Sequence, residues 1–300
     1  MSDPLPPVPG APVALLPGLV RLTAPNPSPM TFTGTNSYIL GDSRPLVIDP
    51  GPDDPRHLEA LLTALAGRRP EAIVVTHAHR DHSALAPALR QVTGAPVVAF
   101  GPAGAGQSAV MRDLAERGLS AAGEGADAGF VPDVTLGDGE TLAFDGGSIT
   151  ALHTPGHFGN HLCLDWGETL FSGDHVMGWS TSIVVPPEGD MADYRASLRR
   201  LAQGRWTTAL PGHGAPIPDP AARIAELIAH RAAREAVILA ALAAGPADLM
   251  TLTRRAYADL APALLPMAAQ NALAHLIELA GRGRVSAPGL PAPGTVFALA

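Results

Sequence analysis

Short apolar runs alternate with helical patterns over the first two thirds of the chain. Ala72–Val75 is a continuous apolar run that predicts a strand buried on both faces. Within residues 54–66, four leucines recur at three- and four-residue spacing and predict an amphipathic helix. Because strand patterns alternate with helical ones, residues 1–218 are predicted to form an α/β domain built of mixed layers.

The rest of this region contains two segments with weak patterns, residues 1–34 and 101–139, and further predicted helices and strands. Among the first 34 residues, only Leu19–Thr23 has a strand pattern, and a single helix is predicted over 83–92. Residues 101–139 are rich in Gly and Ala with weak periodicity, which predicts a flexible loop or lid. A further helix is predicted over Asp193–Leu201. The remaining strand patterns are Asn36–Leu40, Pro45–Ile48, Pro96–Phe100, Thr141–Phe144, Ser148–Leu152, His161–Leu164, Glu168–Phe171 and Thr207–Leu210.

The pattern changes after residue 218. Residues 219–246 predict a long connecting helix that begins at Asp219 and Pro220 and ends at Gly245-Pro246. Residues 247–300 contain two helical patterns followed by two short strand-like stretches. This C-terminal segment therefore predicts a small helical module that ends in a hairpin.

The composition excludes several enzyme classes. The 300 residues include 20 basic and 28 acidic ones, a net charge of -8, and every basic residue is Arg. The absence of Lys excludes Schiff-base chemistry, the lysine of a P-loop and the Ser-x-x-Lys enzymes. Cys163 is the single cysteine, which excludes an internal disulfide and a multi-cysteine zinc site. No Gly-x-Ser-x-Gly motif occurs, so a serine hydrolase has no support.

The sequence also sets an expectation for location. No run approaches the roughly 18–20 apolar residues that a membrane span requires. Prolines interrupt the apolar residues near the N-terminus, so no leader peptide is predicted there. We therefore expect a cytoplasmic protein that has no membrane partner.

Histidines are concentrated in one part of the chain. Of the 11 histidines, eight lie between positions 77 and 213. His77, His79, Asp81 and His82 follow an apolar strand where it gives way to a helical pattern. Neutral imidazole and carboxylate groups are the ligands that zinc and related metals prefer. Two histidines at i and i+2 can bind one ion, and an Asp-His pair directly after them can bind a second ion.

Further candidate ligands follow later strands. His153, His157 and His161 surround the Pro155-Gly156 turn between two predicted strands. Asp174 follows an apolar strand, and His213 lies between two glycines after the last predicted strand. Each position alone is a weak signal, but their order after the first motif indicates a metal site.

Taken together, these residues resemble the metal-binding pattern of the metallo-β-lactamase superfamily over about residues 20–214. The resemblance implies an αββα sandwich with a mononuclear or binuclear metal site at the edge where the two sheets meet. It implies that one ion has ligands from His77, His79 and His157, that the other has ligands from Asp81, His82 and His213, and that Asp174 bridges the two.

The resemblance extends to supporting residues and to the C-terminus. In the turn between the strands it assigns the ligand to His157, with His153 as the second choice. His161 and Asp49 match positions that support the ligand shell. Residues 247–300 resemble a winged-helix domain, as found in the branch of the superfamily that includes lactamase-β-like protein 2.

The implied function is a metal-dependent hydrolase with two Zn2+ ions per chain, or Mn2+ or Fe2+ in their place. Two such ions lower the pKa of a shared water, and the bridging hydroxide attacks an electrophilic carbon or phosphorus. Asp81 is the catalytic candidate that orients this hydroxide and transfers its proton. His79 disfavours a redox di-iron centre, because oxygen-reducing relatives have Glu at that position. A binding protein with structural metals is the non-enzymatic alternative.

Two substrate classes compete. The first is a small ester, thioester or lactone, with Trp179 of the stretch 179–187 forming an apolar wall beside the metals. The second is single-stranded RNA, since lactamase-β-like protein 2 is an endoribonuclease. Residues 1–214 contain 13 Arg and 22 Asp and Glu, a net charge of -9 that favours the small molecule over a polyanion. The apolar faces of the C-terminal module are compatible with a homodimer.

Overall fold

Two β-sheets packed face to face form the first domain in the computed structural model, which describes residues 7–121, 125–292 and 294–300. Residues 1–6 of the proline-rich start and residues 122–124 of the 101–139 stretch lie outside the described residues. The strands of the first sheet are β1 (Val13–Leu16), β2 (Leu19–Thr23), β3 (Asn36–Leu40), β4 (Leu46–Ile48), β5 (Ala72–Val74), β6 (Val97–Ala99) and β7 (Val134–Thr135). They lie side by side in chain order, antiparallel from β1 to β4 and parallel from β4 to β7.

The second sheet has five strands. They are β8 (Thr141–Phe144), β9 (Gly147–His153), β10 (Leu162–Trp166), β11 (Thr169–Gly173) and β12 (Thr208–Pro211). Their order is β12-β11-β10-β9-β8, and only the β11–β12 pair among them is parallel. Residues of β4 and β5 such as Ile48 and Val74 pack against Leu164 and Phe171 of the second sheet, so the core between the sheets is apolar.

Helices cover the outer faces of both sheets. In chain order, the α-helices of the described residues are α1 (Pro55–Leu65), α2 (Arg80–Ser83), α3 (Ala86–Thr93), α4 (Ala109–Glu116), α5 (Met191–Leu201), α6 (Pro220–Ala243), α7 (Leu249–Ala256) and α8 (Leu265–Gly281), of which α7 and α8 belong to the C-terminal module. Leu61 of α1 and Leu89 of α3 pack on the first sheet, while Tyr194 of α5 and Leu227 of α6 pack on the second. The predicted αββα sandwich is confirmed.

The C-terminal module combines α7 and α8 with a small sheet. Its strands are β13 (Ala247–Asp248), β14 (Val285–Ser286) and β15 (Val296–Leu299), in the order β13-β15-β14. Leu252, Leu276 and Phe297 belong to its core, together with Ile238 and Leu242 of α6. The predicted winged-helix domain is confirmed.

Among the strands and α-helices, four were absent from the sequence interpretation, namely β1, β7, β13 and α4. Strand β1 forms a hairpin with β2 around Gly18, whose φ of 72° lies in the left-handed region. Helix α4 occupies part of the 101–139 stretch, which was predicted to be a loop or lid. Ser108 caps α4 by accepting a hydrogen bond from the Met111 backbone, and Met111 and Leu114 pack into the core of the C-terminal module.

One predicted helix is divided. The single helix expected over 83–92 is represented by α2 and α3, with Pro87 in the first turn of α3. Proline fits the first turn of a helix, where no hydrogen bond from its nitrogen is required.

Among the helices of the described residues, none combines the length and the apolar character needed to cross a lipid bilayer.

Candidate metal centre

The loop after β5 carries the first set of candidate ligands, and Asp49 fixes its shape. Asp49 accepts hydrogen bonds from the backbone N–H of Thr76 at 2.7 Å and from the Thr76 hydroxyl at 2.8 Å. Its Oδ2 also accepts from Nδ1 of His82 at 2.9 Å. The φ of Asp49 is 50°, a conformation that costs a non-glycine residue about 1–3 kcal/mol and that these hydrogen bonds offset.

The second sheet contributes the remaining candidates from the ends of its strands. His157 lies in the turn between β9 and β10, Asp174 directly follows β11, and His213 follows β12. His161 fixes this region, because its Nε2 accepts a hydrogen bond from the Asp174 backbone at 3.2 Å and its Nδ1 contacts the Thr154 hydroxyl at 2.9 Å.

One group of ligand atoms consists of three imidazoles. Nδ1 of His79 lies 2.9 Å from Nε2 of His77 and 3.0 Å from Nε2 of His157. The three side chains can place one nitrogen each within 4.8 Å of the others. This is the trio that the resemblance assigned to the first ion.

A second group lies next to the first. Nε2 of His213 lies 3.3 Å from Nε2 of His82 and 3.2 Å from Oδ2 of Asp81. Asp174 stands between the groups, with Oδ2 3.3 Å from Nε2 of His213 and 3.7 Å from Nε2 of His157. The structure therefore brings all seven predicted ligand residues to one place.

The outer nitrogens of three rings determine which nitrogen faces the centre. Nδ1 of His157 donates to the carbonyl oxygen of Ile183 at 2.6 Å, and Nδ1 of His213 donates to that of Gly34 at 3.2 Å. Nδ1 of His82 is held in the same way by Asp49. Because each Nδ1 carries a proton, each Nε2 faces the centre, where it would present its lone pair to a bound cation.

Burial and charge divide the histidines into two kinds. Burial lowers the pKa of His77 well below its usual value and that of His79 to about 3, so both rings are neutral. Burial also opposes protonation of His213, but Asp174 and Asp81 outweigh it and raise the pKa of His213 to about 9. The carboxylates thus create a negative potential that attracts cations to the centre.

The donor set fits divalent metal ions. Oδ1 of Asp174 is buried and has no hydrogen-bond partner, which is costly unless a cation binds it. Three overlapping groups of His and Asp, all built from the seven residues, could each hold an ion. Imidazole nitrogen and carboxylate oxygen suit zinc, iron and manganese.

The backbone at Gly212 passes very close to two of the ligand side chains. A Cβ atom on Gly212 would lie 2.4 Å from Oδ1 of Asp174 and 2.6 Å from Cε1 of His82. Asn36 holds the same turn by donating to the carbonyl oxygens of Pro211 and Gly214 at 3.0 and 2.9 Å. Position 212 therefore admits glycine only.

A cavity of about 320 Å³ opens above the ligands. We call it the metal cavity. Met30, Ile183 and Val185 supply apolar wall, and Glu188 adds a carboxyl group. The 179–187 stretch thus lines the cavity as predicted, but through Ile183 and Val185. Trp179 is not among the described lining residues, because its ring stacks on Phe32 with centroids 4.9 Å apart.

Other candidates from the sequence lie apart from the ligand groups. His153 donates from Nε2 to the carbonyl oxygen of Gly159 at 2.9 Å and stacks on Phe100. His175 is buried against Tyr194 and belongs to none of the described ligand groups. Burial raises the pKa of Cys163 to about 12, which keeps its thiol protonated and inert.

The sequence interpretation missed the contribution of the segment before β3. Met30 and Thr31 line the metal cavity, and the Thr35 hydroxyl donates to Oδ2 of Asp81 at 3.3 Å. The segment has a proline-rich composition without periodicity, so no local pattern pointed to it. The nearest signal was the polar run Thr31–Ser37 before an apolar strand.

Comparison with known proteins agrees with this geometry. Residues 30–213 match the metallo-β-lactamase superfamily, and residues 249–290 match the β-lactamase-associated winged helix domain. The chain belongs to the metallo-β-lactamase superfamily and is a metal-dependent hydrolase of that fold with a winged-helix domain at its C-terminal side.

The chain is similar to several individual proteins of this superfamily. The chain is 31% identical over 297 residues to a protein named β-lactamase-like protein 2 homolog from Drosophila melanogaster, covering 91% of this chain and 94% of the relative. It is 32% identical over 243 residues to an atrochrysone carboxyl ACP thioesterase from Paecilomyces divaricatus, covering 79% and 68% of the two chains. A metallo-β-lactamase family protein from Thermus thermophilus superimposes with a TM-score of 0.77 at 27% identity, covering 96% of this chain and 100% of that one.

Proposed function

We propose that this chain hydrolyses a small thioester, ester or lactone at a centre that binds two divalent cations, with Zn2+ as the first candidate. The observation that carries the proposal is the convergence of the seven side chains, five of which line the metal cavity, with Asp174 between the two groups. When bound, such a pair of cations supplies Lewis-acid activation of water and of the carbonyl group.

The residues of the chain supply the remaining parts of the reaction. Asp81 lies at the edge of the second ligand group, where its Oδ2 accepts a hydrogen bond from Thr35 and lies 3.2 Å from His213. A carboxylate fixed in this way can accept a proton from the attacking water and transfer it to the leaving group. Met30, Ile183 and Val185 would contact the apolar part of the acyl group.

Two observations favour a thioester over RNA. Relatives at 32% and 30% identity are named ACP thioesterases, which supports a thioester as substrate. The described lining of the metal cavity contains Asp81, Asp174 and Glu188 but no Arg. A polyanion requires clustered basic side chains along its path, and this wall offers the opposite charge.

A substrate panel tests the proposal. Purified enzyme, expected to contain about two divalent ions per chain, is assayed with a thioester, an ester, a lactone, a phosphodiester and single-stranded RNA. We expect thioester turnover to fall by about 10²–10⁴-fold in Asp81→Asn, because the proton acceptor is lost.

The matched control is Asp53→Asn, an exposed carboxylate outside the ligand groups, which should retain wild-type turnover. Metal-dependent cleavage of RNA that disappears in Asp81→Asn, with no turnover of the small substrates, would reverse the proposal. A metal content below about 0.5 ions per chain would contradict the binuclear centre.

A further inference from the structure

A second cavity, which we call the basic cavity, lies where α6 meets the start of α8. It has a volume of about 290 Å³. Three of its lining residues, His230, Arg231 and Arg234, are basic, and the described lining contains no acidic residue. Burial and the neighbouring arginines lower the pKa of His230, so the positive charge of this lining comes from Arg231 and Arg234 in a chain with a net charge of -8.

Arg231 is the most unusual member of this lining. Its side chain is only 2% exposed, and it donates from Nη1 to Asn271 at 3.4 Å and from Nη2 to the carbonyl oxygen of Ser182. Its Nε is buried without a hydrogen-bond partner, and no carboxylate of the described residues forms an ion pair with it. A buried cation that lacks a counterion is costly, so an anion bound here would stabilise the protein.

The acidic residues on the same helices are already paired. Glu235 of α6 and Glu278 of α8 both form ion pairs with Arg195 and Arg282. They do not line the basic cavity. The counterion for Arg231 is therefore expected from a ligand.

The start of α8 adds to this positive potential. This helix of 17 residues begins without a hydrogen bond from a capping side chain, and Leu264, Met267 and Ala268 at its start line the basic cavity. The dipole of a helix N-terminus favours anions. Arg234 stands beside them with its guanidinium group over the ring of Tyr257, at 4.9 Å from the centroid.

The two cavities are neighbours. Thr181 lines the basic cavity, and Ile183, two residues later, lines the metal cavity. Because an extended chain advances about 3.3–3.6 Å per residue, the two positions lie within ~7 Å of each other. The short segment 181–183 therefore borders both cavities.

We propose that the basic cavity binds an oxyanion, a phosphate or a carboxylate, on the thiol portion of a thioester whose carbonyl group lies at the metal centre. The assignment of the anion to a thioester substrate rests on the thioesterase activity proposed above. Binding of an anion in the basic cavity does not depend on that activity. Arg guanidinium groups suit both oxyanions, because they donate two parallel hydrogen bonds.

The first test measures binding of inorganic phosphate by calorimetry, in the wild type and in a His79→Ala background that disrupts the metal centre. We expect phosphate to bind in both. Arg234→Gln and Asn271→Asp should each weaken this binding by about 10- to 100-fold, the first by removing a charged donor and the second by placing a carboxylate beside Arg231.

The matched control is Arg254→Gln, an exposed arginine on α7 that does not line the basic cavity. It should bind phosphate as the wild type does. Loss of binding in His79→Ala, or unchanged affinity in both Arg234→Gln and Asn271→Asp, would place the anion at the metal centre and overturn the proposal. Absence of phosphate binding to the wild type would also overturn it.

The second test identifies the source of the oxyanion. Thioesters with the same acyl group are made with phosphopantetheine, with glutathione and with neutral N-acetylcysteamine. We expect kcat/KM to be about 10-fold higher for one of the two anionic thiols than for the neutral one, and Arg234→Gln to abolish the difference. Equal kcat/KM for all three overturns the substrate assignment. Phosphate binding without turnover of any thioester retains the anion site and refutes the thioesterase function.

Discussion

His82 and His157 belong to different ligand groups of the metal centre and are oriented by different kinds of contact. Nδ1 of His82 is held by the carboxylate of Asp49, which directly follows β4 and also fixes the loop after β5 by accepting from Thr76. Nδ1 of His157 is held by the carbonyl oxygen of Ile183, in a segment that depends on the C-terminal side of the molecule. Both contacts determine a proton position, but the carboxylate contributes charge and the carbonyl only a dipole.

The segment around Ile183 explains why the C-terminal domain bears on the metal centre. Its neighbour Ser182 accepts a hydrogen bond from Arg231 of α6, and the Val184 N–H donates to Asn271 of α8 at 3.1 Å. The C-terminal domain therefore supplies none of the predicted ligands and still helps to position one of them. Three substitutions test this difference between the two sides.

The largest effect is expected where α4 joins the two domains. Leu114→Ala should lower the free energy of unfolding by about 2–5 kcal/mol, because the leucine is buried in the core of the C-terminal module. Urea denaturation measures the change. Val110→Ala on the same helix, at a side chain that is 55% exposed, is the control and should have little effect. Equal stability of the two variants would show that α4 does not join the domains.

An intermediate effect is expected at Asp49. Asp49→Asn should weaken metal binding by about 10–100-fold, because His82 and the loop of Thr76 lose their charged acceptor. Competition with a chromophoric chelator measures the affinity. Asp53→Asn, with its side chain in solvent, provides the comparison. Wild-type affinity in Asp49→Asn would mean that the carboxylate does not determine the orientation of His82.

The smallest effect is expected at Asn271. Asn271→Ala removes the acceptor of the Val184 N–H, next to Ile183, whose carbonyl oxygen holds Nδ1 of His157. We expect the metal affinity to fall about fivefold, the effect of losing one ordinary hydrogen bond. The same chelator assay measures it. Asn271→Asp keeps an acceptor for the Val184 N–H and should restore the affinity. If alanine matches the wild type, the C-terminal domain does not influence the position of His157.

Local patterns were sufficient to predict most of the fold. The strand at 72–75 was found because both of its faces are buried, which produces a continuous apolar run. Helix α4 was missed, although Met111 and Leu114 have helical spacing, because the Gly- and Ala-rich residues around it conceal an amphipathic face of only two turns. Its partners lie more than 100 residues later in the chain, in the C-terminal core.

Residue type and order indicated the metal site, and the resemblance to the superfamily assigned its ligands. Neither predicted the walls of the metal cavity correctly. His77, His79 and His82 are recognisable because their chemistry is specific and they are close in sequence. Trp179 was selected for its aromatic ring, whereas the cavity is lined by the smaller Ile183 and Val185. Which face of an irregular segment points inward depends on tertiary contacts, here with Phe32, and no periodic pattern encodes it.

The glycine between Pro211 and His213 has a consequence for variation in this protein. Selection for altered substrate preference can act on Ile183 or Val185, since both side chains line the space that a substrate would fill. In contrast, random mutagenesis should recover no active clone with a substitution at Gly212, although this residue has no side chain that could bind a metal ion. A residue without a side chain is thus as diagnostic of an intact centre as the imidazoles around it.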